Sequence, residues 1–411
     1  MKIEELNNKK ILILGYGKEG HSTEQYLRRV LSEAVIDHAD KKSDPLYLEH
    51  QKDYDLIIKT PGIPKEFITQ KYTTATNIFF ANCKGIIIGV TGTKGKSTTS
   101  SFIYHLLKTG GKKVHLVGNI GNPALAKLMK PPGKDDIFVM ELSSYQLDDI
   151  HYSPHISVVL NLFPEHMNYH GRVENYYDAK KNIVKYIKQE DYFIYNPKYK
   201  DLVAWASNLH CHTLQFLPHT IPVSENALTL LGDHNKENIQ AALTVADLFH
   251  ISKDDIIKAL KTFKPLLHRL ENVGTFHGIT FYDDAISTTP ESTIVALQTL
   301  KDVDTLFLGG EDRGYDFSNL VNIIAEKKVK NIVLFPDSGE IIRILLKSKP
   351  GYLPQILETR DMEKAVQFAF THTKKNSICL LSTASPSYSV WKNFEEKGDL
   401  FKLYVRSYEK N

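Results

Sequence analysis

The stretch Thr91-Gly92-Thr93-Lys94-Gly95-Lys96-Ser97-Thr98-Thr99 follows the apolar run Gly85–Val90 and opens a helical pattern. Glycines in such a turn let backbone N–H groups converge on one anion, and the helix N-terminus adds positive potential. Lys96 is then placed to reach the outer phosphates of a nucleotide, and the Ser97 hydroxyl to ligate Mg²⁺. The strict phosphate-loop spacing has four residues between its first glycine and Gly-Lys. Here Gly89 leaves five and Gly92 leaves two, so the loop is a variant. A glycine turn with incidental lysines is the plainer alternative, and the strand before and helix after weigh against it.

Two further ionisable features follow the next apolar runs. Glu141 heads Glu141-Leu142-Ser143-Ser144-Tyr145-Gln146 directly after Phe138–Met140. A carboxylate beside a phosphate loop suits Mg²⁺, which prefers oxygen ligands; an ordinary surface glutamate at a helix start is the alternative. After Ile156–Leu160 comes the segment Asn161–Gly171 with His166, then Tyr176 and Lys180-Lys181. A lone histidine is usually structural, but three ionisable features after three successive apolar runs read as one site. Near the N-terminus, Gly15-Tyr16-Gly17-Lys18-Glu19-Gly20 is a literal GxGxxG after a strand, with Asp37 some twenty residues on. Read alone it suggests a dinucleotide, although the same loop serves any pyrophosphate at a helix N-terminus.

The elements that must position these residues are short apolar runs alternating with helical patterns. Ile11–Leu14, Ala34–Ile36 and Leu56–Ile58 define a first unit of about eighty residues. A second begins near Lys84 and includes a helix over Asn235–Leu248. A third begins near Pro265 with runs at Leu306–Gly310, Ile332–Phe335 and Ile378–Leu381. The alternation predicts doubly wound parallel sheets, with ligands beyond the carboxyl ends of the strands. Bulk properties exclude other classes. The 51 basic and 48 acidic residues nearly balance, with net charge +3, so no nucleic-acid partner is expected. Cys83, Cys211 and Cys379 are far apart and fit a reducing compartment. The N-terminus lacks the apolar run of a signal peptide, and no run approaches the roughly 18 apolar residues of a membrane span. A cytoplasmic monomer acting on small molecules, away from membranes, is the expectation.

Taken together, Thr91–Thr99, Glu141–Gln146, the His166 segment and Tyr176-x-x-x-Lys180 resemble the central ATPase domain of the Mur ligase family. Gly232-Asp233-His234-Asn235-Lys236-Glu237-Asn238, His268-Arg269, Asp283-Asp284 with Ser287-Thr288-Thr289, and Lys392–Phe401 resemble later elements of that family, the last in its glutamate-adding branch. The resemblance spans nearly the whole chain. It implies an α/β fold of three domains: a Rossmann-like UDP-binding domain (1–82), a central P-loop ATPase-like domain (83–265) and a C-terminal Rossmann-like, amino-acid-binding domain (266–411). It implies an ADP-forming amide ligase of peptidoglycan precursor synthesis that joins glutamate to UDP-N-acetylmuramoyl-L-alanine through an acyl phosphate, with the third domain closing over ATP. On this resemblance Gly92, Thr93, Lys94, Gly95, Lys96, Ser97, Thr98, Asn238, Arg269 and Asp284 bind ATP. Gly17, Lys18, Asp37, Thr60, Gly62 and Asn119 hold the UDP substrate, with Glu19 and His38 bordering it. Thr288, Arg313, Ser387 and Phe394 take the glutamate. Lys96, His166, Lys180 and Arg269 act in catalysis. Ser97, Glu141, His166 and a carbamylated Lys180 hold two Mg²⁺ ions.

The chain departs from the family pattern in places. Lys94 stands where asparagine is common, and Glu165 and Asn168 where aspartates are usual. Ile286 and Arg313 replace two lysines near the amino acid. Arg313 can still grip a carboxylate bidentately. D-glutamate is the first choice and L-glutamate the alternative, since Ile286 with Asp312-Arg313-Gly314-Tyr315-Asp316 also resembles a branch using L-glutamate. A folate polyglutamate synthase is disfavoured by the Gly15–Gly20 loop. An inactive UDP-sugar-binding homologue is disfavoured by the presence of Lys96, Glu141, His166 and Lys180, and an NAD dehydrogenase is more distant still.

Overall fold

The structure is a computed structural model and describes residues 1–216, 220–224 and 227–408. Its strands form three sheets. The first contains β1 (Lys10–Leu14), β2 (Val35–Ala39), β3 (Leu56–Lys59) and β4 (Tyr72–Thr73), in the order β2-β1-β3-β4 and all parallel. The second contains β5 (Ile86–Thr91), β6 (Val114–Gly118), β7 (Ile137–Glu141), β8 (Ile156–Val159), β9 (Tyr192–Tyr195) and β10 (His212–Gln215), in the order β10-β9-β8-β5-β7-β6, again all parallel. Chain order reverses around β1 and β5. The loops after β1, β2 and β3, and after β5, β7 and β8, therefore meet at the crevices where parallel sheets bind ligands. The GxGxxG turn, Asp37 and Thr60 belong to the first group; the phosphate loop, Glu141 and the His166 segment belong to the second.

These two sheets share one compact unit, Met1–Leu228 with His234–Phe263. Apolar side chains of both contribute to one continuous core, including Ile11, Phe79, Phe138 and Phe193. A buried polar contact also ties them. Lys59 Nζ lies 2.6 Å from Asp149 Oδ2, both side chains all but fully buried, and donates to Ile63 O at 2.8 Å. Tyr72 Oη donates to Asp149 Oδ1 (2.8 Å) and Asn77 Nδ2 to Asp149 O (2.7 Å). Removing one partner of such a pair strands a charge and costs about 3–5 kcal/mol.

The second unit, Thr229–Asp233 with Lys264–Asn411, holds the third sheet. Its strands are β11 (Glu271–Phe276), β12 (Ile279–Asp283), β13 (Val303–Gly309), β14 (Asn331–Phe335), β15 (Gln355–Glu358) and β16 (Ile378–Leu381), in the order β11-β12-β16-β13-β14-β15. All pairs are parallel except β11 with β12, a hairpin turning at His277-Gly278. This antiparallel edge departs from the purely parallel expectation: a two-residue turn returns the chain at once, with no crossover helix. Leu306, Leu308, Ile332 and Leu334 pack on one face, and Phe307, Val333, Phe335 and Leu381 on the other. Both faces are covered, which is why these strands read as unbroken apolar runs. The ends of the adjacent β12, β16 and β13 carry Asp283-Asp284, Ser382–Ser387 and Gly309–Arg313. No helix among the described residues is long and apolar enough to cross a membrane.

Candidate active site

The phosphate loop is built by β5 and the helix Lys96–Thr109. Gly95 caps that helix at φ +83°, and a Cβ there would sit 2.5 Å from Asn238 Oδ1, so the backbone requires glycine and Asn238 lies against the loop. The loop is pinned from beneath. Lys94 N donates to Asn161 Oδ1 (2.9 Å), Asn161 Nδ2 to Lys94 O (3.1 Å), Thr93 Oγ1 to Phe163 O (3.0 Å) and Tyr176 Oη to Thr93 Oγ1 (3.1 Å). Asn161 and Tyr176 thus shape the loop, a role that spacing did not reveal. Ser97 is half-buried at the helix start and Thr98 is buried. Lys94 is exposed and paired with Glu165.

Two lysine side chains meet at one carbonyl. Lys96 Nζ donates to Gly92 O (3.0 Å) and Thr93 O (2.9 Å), and Lys180 Nζ donates to the same Gly92 O (2.9 Å) and to Thr91 Oγ1 (3.4 Å). Lys180 projects from the helix Val173–Lys181, is 1% exposed, and lies 4.8 Å from the centre of the Tyr176 ring. Burial holds its pKa well below the usual lysine range; the Lys96 charge pushes the same way, against Glu165 and Glu141.

Glu141 ends β7 and is 1% exposed. Its Oε1 accepts from Asn119 Nδ2 (3.1 Å), while Oε2 has no hydrogen-bond partner among the described residues. Asn119, expected to hold the UDP substrate, is therefore placed at this carboxylate. An enclosed carboxylate oxygen with no donor is costly unless a cation meets it, and oxygen donors suit Mg²⁺. The donor set Ser97 and Glu141 fits that ion. His166 is half-exposed at φ 60°, with Nε2 3.7 Å from Glu165 Oε2. Burial lowers its pKa and Glu165 opposes the shift. The neutral ring favoured by burial is the form that ligates metals.

In the first sheet Gly17 and Lys18 are exposed at the helix start. Asp37 accepts from Tyr54 Oη (3.0 Å) and Thr60 Oγ1 donates back to Leu14 O (2.9 Å). Tyr16 stacks on His38, with centroids 3.6 Å apart and planes 9° apart, and its hydroxyl is bonded to Glu24. The sequence reading passed over this ring pair. Glu19 turns inward: Oε2 accepts from Gln146 Nε2 (3.4 Å), Oε1 has no hydrogen-bond partner among the described residues, and burial pushes its pKa up to about 7. A cavity of about 490 Å³ is lined by Gly62, Pro64, Glu66, Phe67, Tyr145 and Tyr169. Of its lining residues, Tyr145 has its ring 5.2 Å from that of His166.

In the other unit, Gly309 N donates to Thr383 O (2.9 Å) and Glu311 N to Pro386 O (2.8 Å), which sets the loop bearing Arg313 against that bearing Ser387. Arg313 is exposed, with Nε donating to Glu311 (2.8 Å). Ser387 is buried and its Oγ has no hydrogen-bond partner among the described residues. Thr288 is half-buried, and the Phe394 ring stands 5.9 Å from His268. Asp284, expected to bind ATP, is 3% exposed; it accepts from Leu270 N (3.1 Å) and Ser382 Oγ (2.8 Å), and burial pushes its pKa up to about 6. Its oxygens serve the protein interior. Among the described residues one cluster has metal-like spacing, His268, Glu271 and Asp283. Lys402 Nζ supplies its positive charge, 3.1 Å from Glu271 and 3.8 Å from Asp283.

A phosphate loop backed by a buried lysine and a strand-end glutamate, in a chain of three α/β sheets, defines a nucleotide-dependent ligase fold. The chain belongs to the Mur ligase family, ATP-dependent enzymes that form amide bonds in peptidoglycan precursor synthesis. Residues 90–220 match the Mur ligase middle domain and residues 268–385 the Mur ligase, glutamate ligase domain. The chain is similar to the UDP-N-acetylmuramoylalanine--D-glutamate ligase of Thermoanaerobacter sp. (strain X514), 32% identical over 98% of this chain and 99% of that one. Its fold is similar to two solved structures from Thermotoga maritima. One is UDP-N-acetylmuramate-alanine ligase (TM-score 0.65, 18% identity, 98% of this chain and 99% of that one). The other is MurF ligase in complex with ADP (TM-score 0.59, 17% identity, 99% and 97%).

Proposed function

We propose that this ligase joins D-glutamate to UDP-N-acetylmuramoyl-L-alanine, with residues 1–82 taking the uridine diphosphate, 83–265 ATP and 266–411 the amino acid. The observation that carries the reading is the convergence on Gly92 O of Lys96 and the buried Lys180, next to Glu141. A carboxylate cannot form an amide directly because oxide is a poor leaving group. Transfer of the γ-phosphoryl group of ATP to the alanyl carboxylate makes an acyl phosphate; the glutamate amine attacks its carbonyl carbon, and phosphate departs. Such transfer needs positioning and charge neutralisation more than covalent help. Lys96 and Arg269 supply cationic contacts, and the loop N–H groups fix the phosphates. The cavity from Gly62 to Tyr145 gives the sugar-linked substrate a path toward the loop.

Lys180 is proposed to be carbamylated. Burial favours its uncharged amine, which adds to CO₂ as R–NH₂ + CO₂ → R–NH–COO⁻ + H⁺. The product places an anionic oxygen donor beside Lys96. Two Mg²⁺ ions, held by Ser97 and Glu141 and by Glu141, His166 and the carbamate, would neutralise phosphate charge.

L-glutamate is the second reading, favoured by Arg313 and Ile286 in place of two lysines. Incubating the protein with ATP, the UDP-muramyl-alanine and each glutamate enantiomer tests both. Product with D-glutamate is expected; product with L-glutamate alone would overturn the choice.

A further inference from the structure

Arg269 sits in an unusual piece of backbone. His268 and Leu270, on either side, both have left-handed φ values, 61° and 43°. Non-glycine residues rarely adopt such values and persist there only where surroundings hold them. Two adjacent aspartates at the end of β12 do the holding. Asp283 Oδ2 lies 2.7 Å from His268 Nδ1, and Asp284 Oδ1 accepts from Leu270 N at 3.1 Å. His268 N donates to Glu271 Oε2 (2.9 Å), and Ile286 N donates to His268 O (3.1 Å).

The support continues into the C-terminal helix Phe394–Tyr408. The His268 ring is closed in by Phe394 and by Gly398, where a Cβ would stand 2.1 Å from Nδ1. Lys402 lies against Glu271 and Asp283. Lys397, fully buried, donates to Thr383 Oγ1 (2.5 Å).

We propose that His268 and Asp283 are positioning residues that aim the Arg269 guanidinium, with Lys402 fixing the carboxylate from behind. The inference rests on the reading of Arg269 as a phosphate contact. The left-handed φ values and the bonds that restrain them fall on the two neighbours of one cation. A pair serving stability alone would have no reason to act through Arg269.

The test is a double-mutant cycle on the full chain, reading ADP release at varied ATP with the other substrates saturating. His268→Phe keeps the ring and removes the bond to Asp283. In the wild-type background it should lower kcat/KM for ATP by about ten- to a hundredfold, the range of a lost charge-assisted bond, with KM for the UDP substrate unchanged. In an Arg269→Ala background it should change kcat/KM by less than about twofold. An equal loss in both backgrounds would overturn the proposal and leave the Arg269 reading intact. An Arg269→Ala enzyme with wild-type kcat/KM for ATP would overturn both. Asp283→Asn, run through the same cycle, answers the question if His268→Phe does not fold.

Discussion

The chain makes two glycine turns of the same design, each leading from the inner strand of a parallel sheet into a helix, and equips them in opposite ways. At Gly15–Gly20 the turn is tight: a Cβ on Gly20 would meet Gly15 O at 2.1 Å, and Tyr16 N is bonded to Asp40 (2.6 Å). The carboxyl of Glu19 is enclosed within the first helical turn. At Gly92–Ser97 the helix has no acidic residue in its first turn, and two lysine amines lie under the loop. A strand–glycine–helix turn by itself supplies only the N–H groups and the dipole. The groups placed beneath decide how strongly the turn attracts a highly charged polyphosphate.

The largest test of that contrast is Lys96→Ala. Loss of this cation should lower phosphate release by about a thousandfold or more, as removal of a preorganised charge contact does. Binding of the UDP substrate, measured by calorimetry, should stay within a few-fold, because Lys96 belongs to the second turn and not the first. Undiminished phosphate release would dissolve the distinction between the two turns.

Lys180→Ala comes next. It should lower turnover by about a hundredfold, the scale of a lost contact that tunes a metal site. Acetate or propionate at high concentration should restore part of the rate by supplying the missing oxygen donor. Failure of every short carboxylate to rescue would mean that Lys180 acts as an amine beneath Gly92. In that case the second turn would differ from the first only by its positive charge.

Much of this arrangement was legible in the sequence. Buried parallel strands must be apolar on both faces, so β1, β3, β5, β8, β14 and β16 stand out as uninterrupted runs. The loops after β5 and β8 then name the phosphate loop and the His166 segment, and the apolar run of β7 leads into Glu141. Two edge strands were not legible: β10 (His212–Gln215) and β15 (Gln355–Glu358) are partly exposed and carry polar residues, so they lack that pattern. Lys180 was singled out by the resemblance of Tyr176-x-x-x-Lys180 to the family's element, but its burial against Gly92 O depends on a contact 88 residues away in sequence. The same holds for Asp284 and Glu19. The resemblance places each at a ligand, and the fold adds that each carboxyl is enclosed.

The smallest expected effect concerns Glu19 itself and separates the turns by pH. Its pKa is raised from 4.5 to about 7 by burial, against the Gln146 bond and the Lys59 charge. Between those values the folded chain holds a proton that the unfolded chain has released. Stability from this group is therefore fully present below about pH 4.5 and is lost as pH rises through about 7. Glu19→Gln keeps the shape and removes the ionisation. It should leave thermal stability nearly unchanged near pH 5 and raise it at pH 8 by on the order of 2 kcal/mol, a few degrees in Tm. A Tm difference that is the same at both pH values would mean that Glu19 ionises as a solvated carboxylate. The first turn would then carry an ordinary surface acid, and its contrast with the lysine-backed second turn would reduce to charge sign alone.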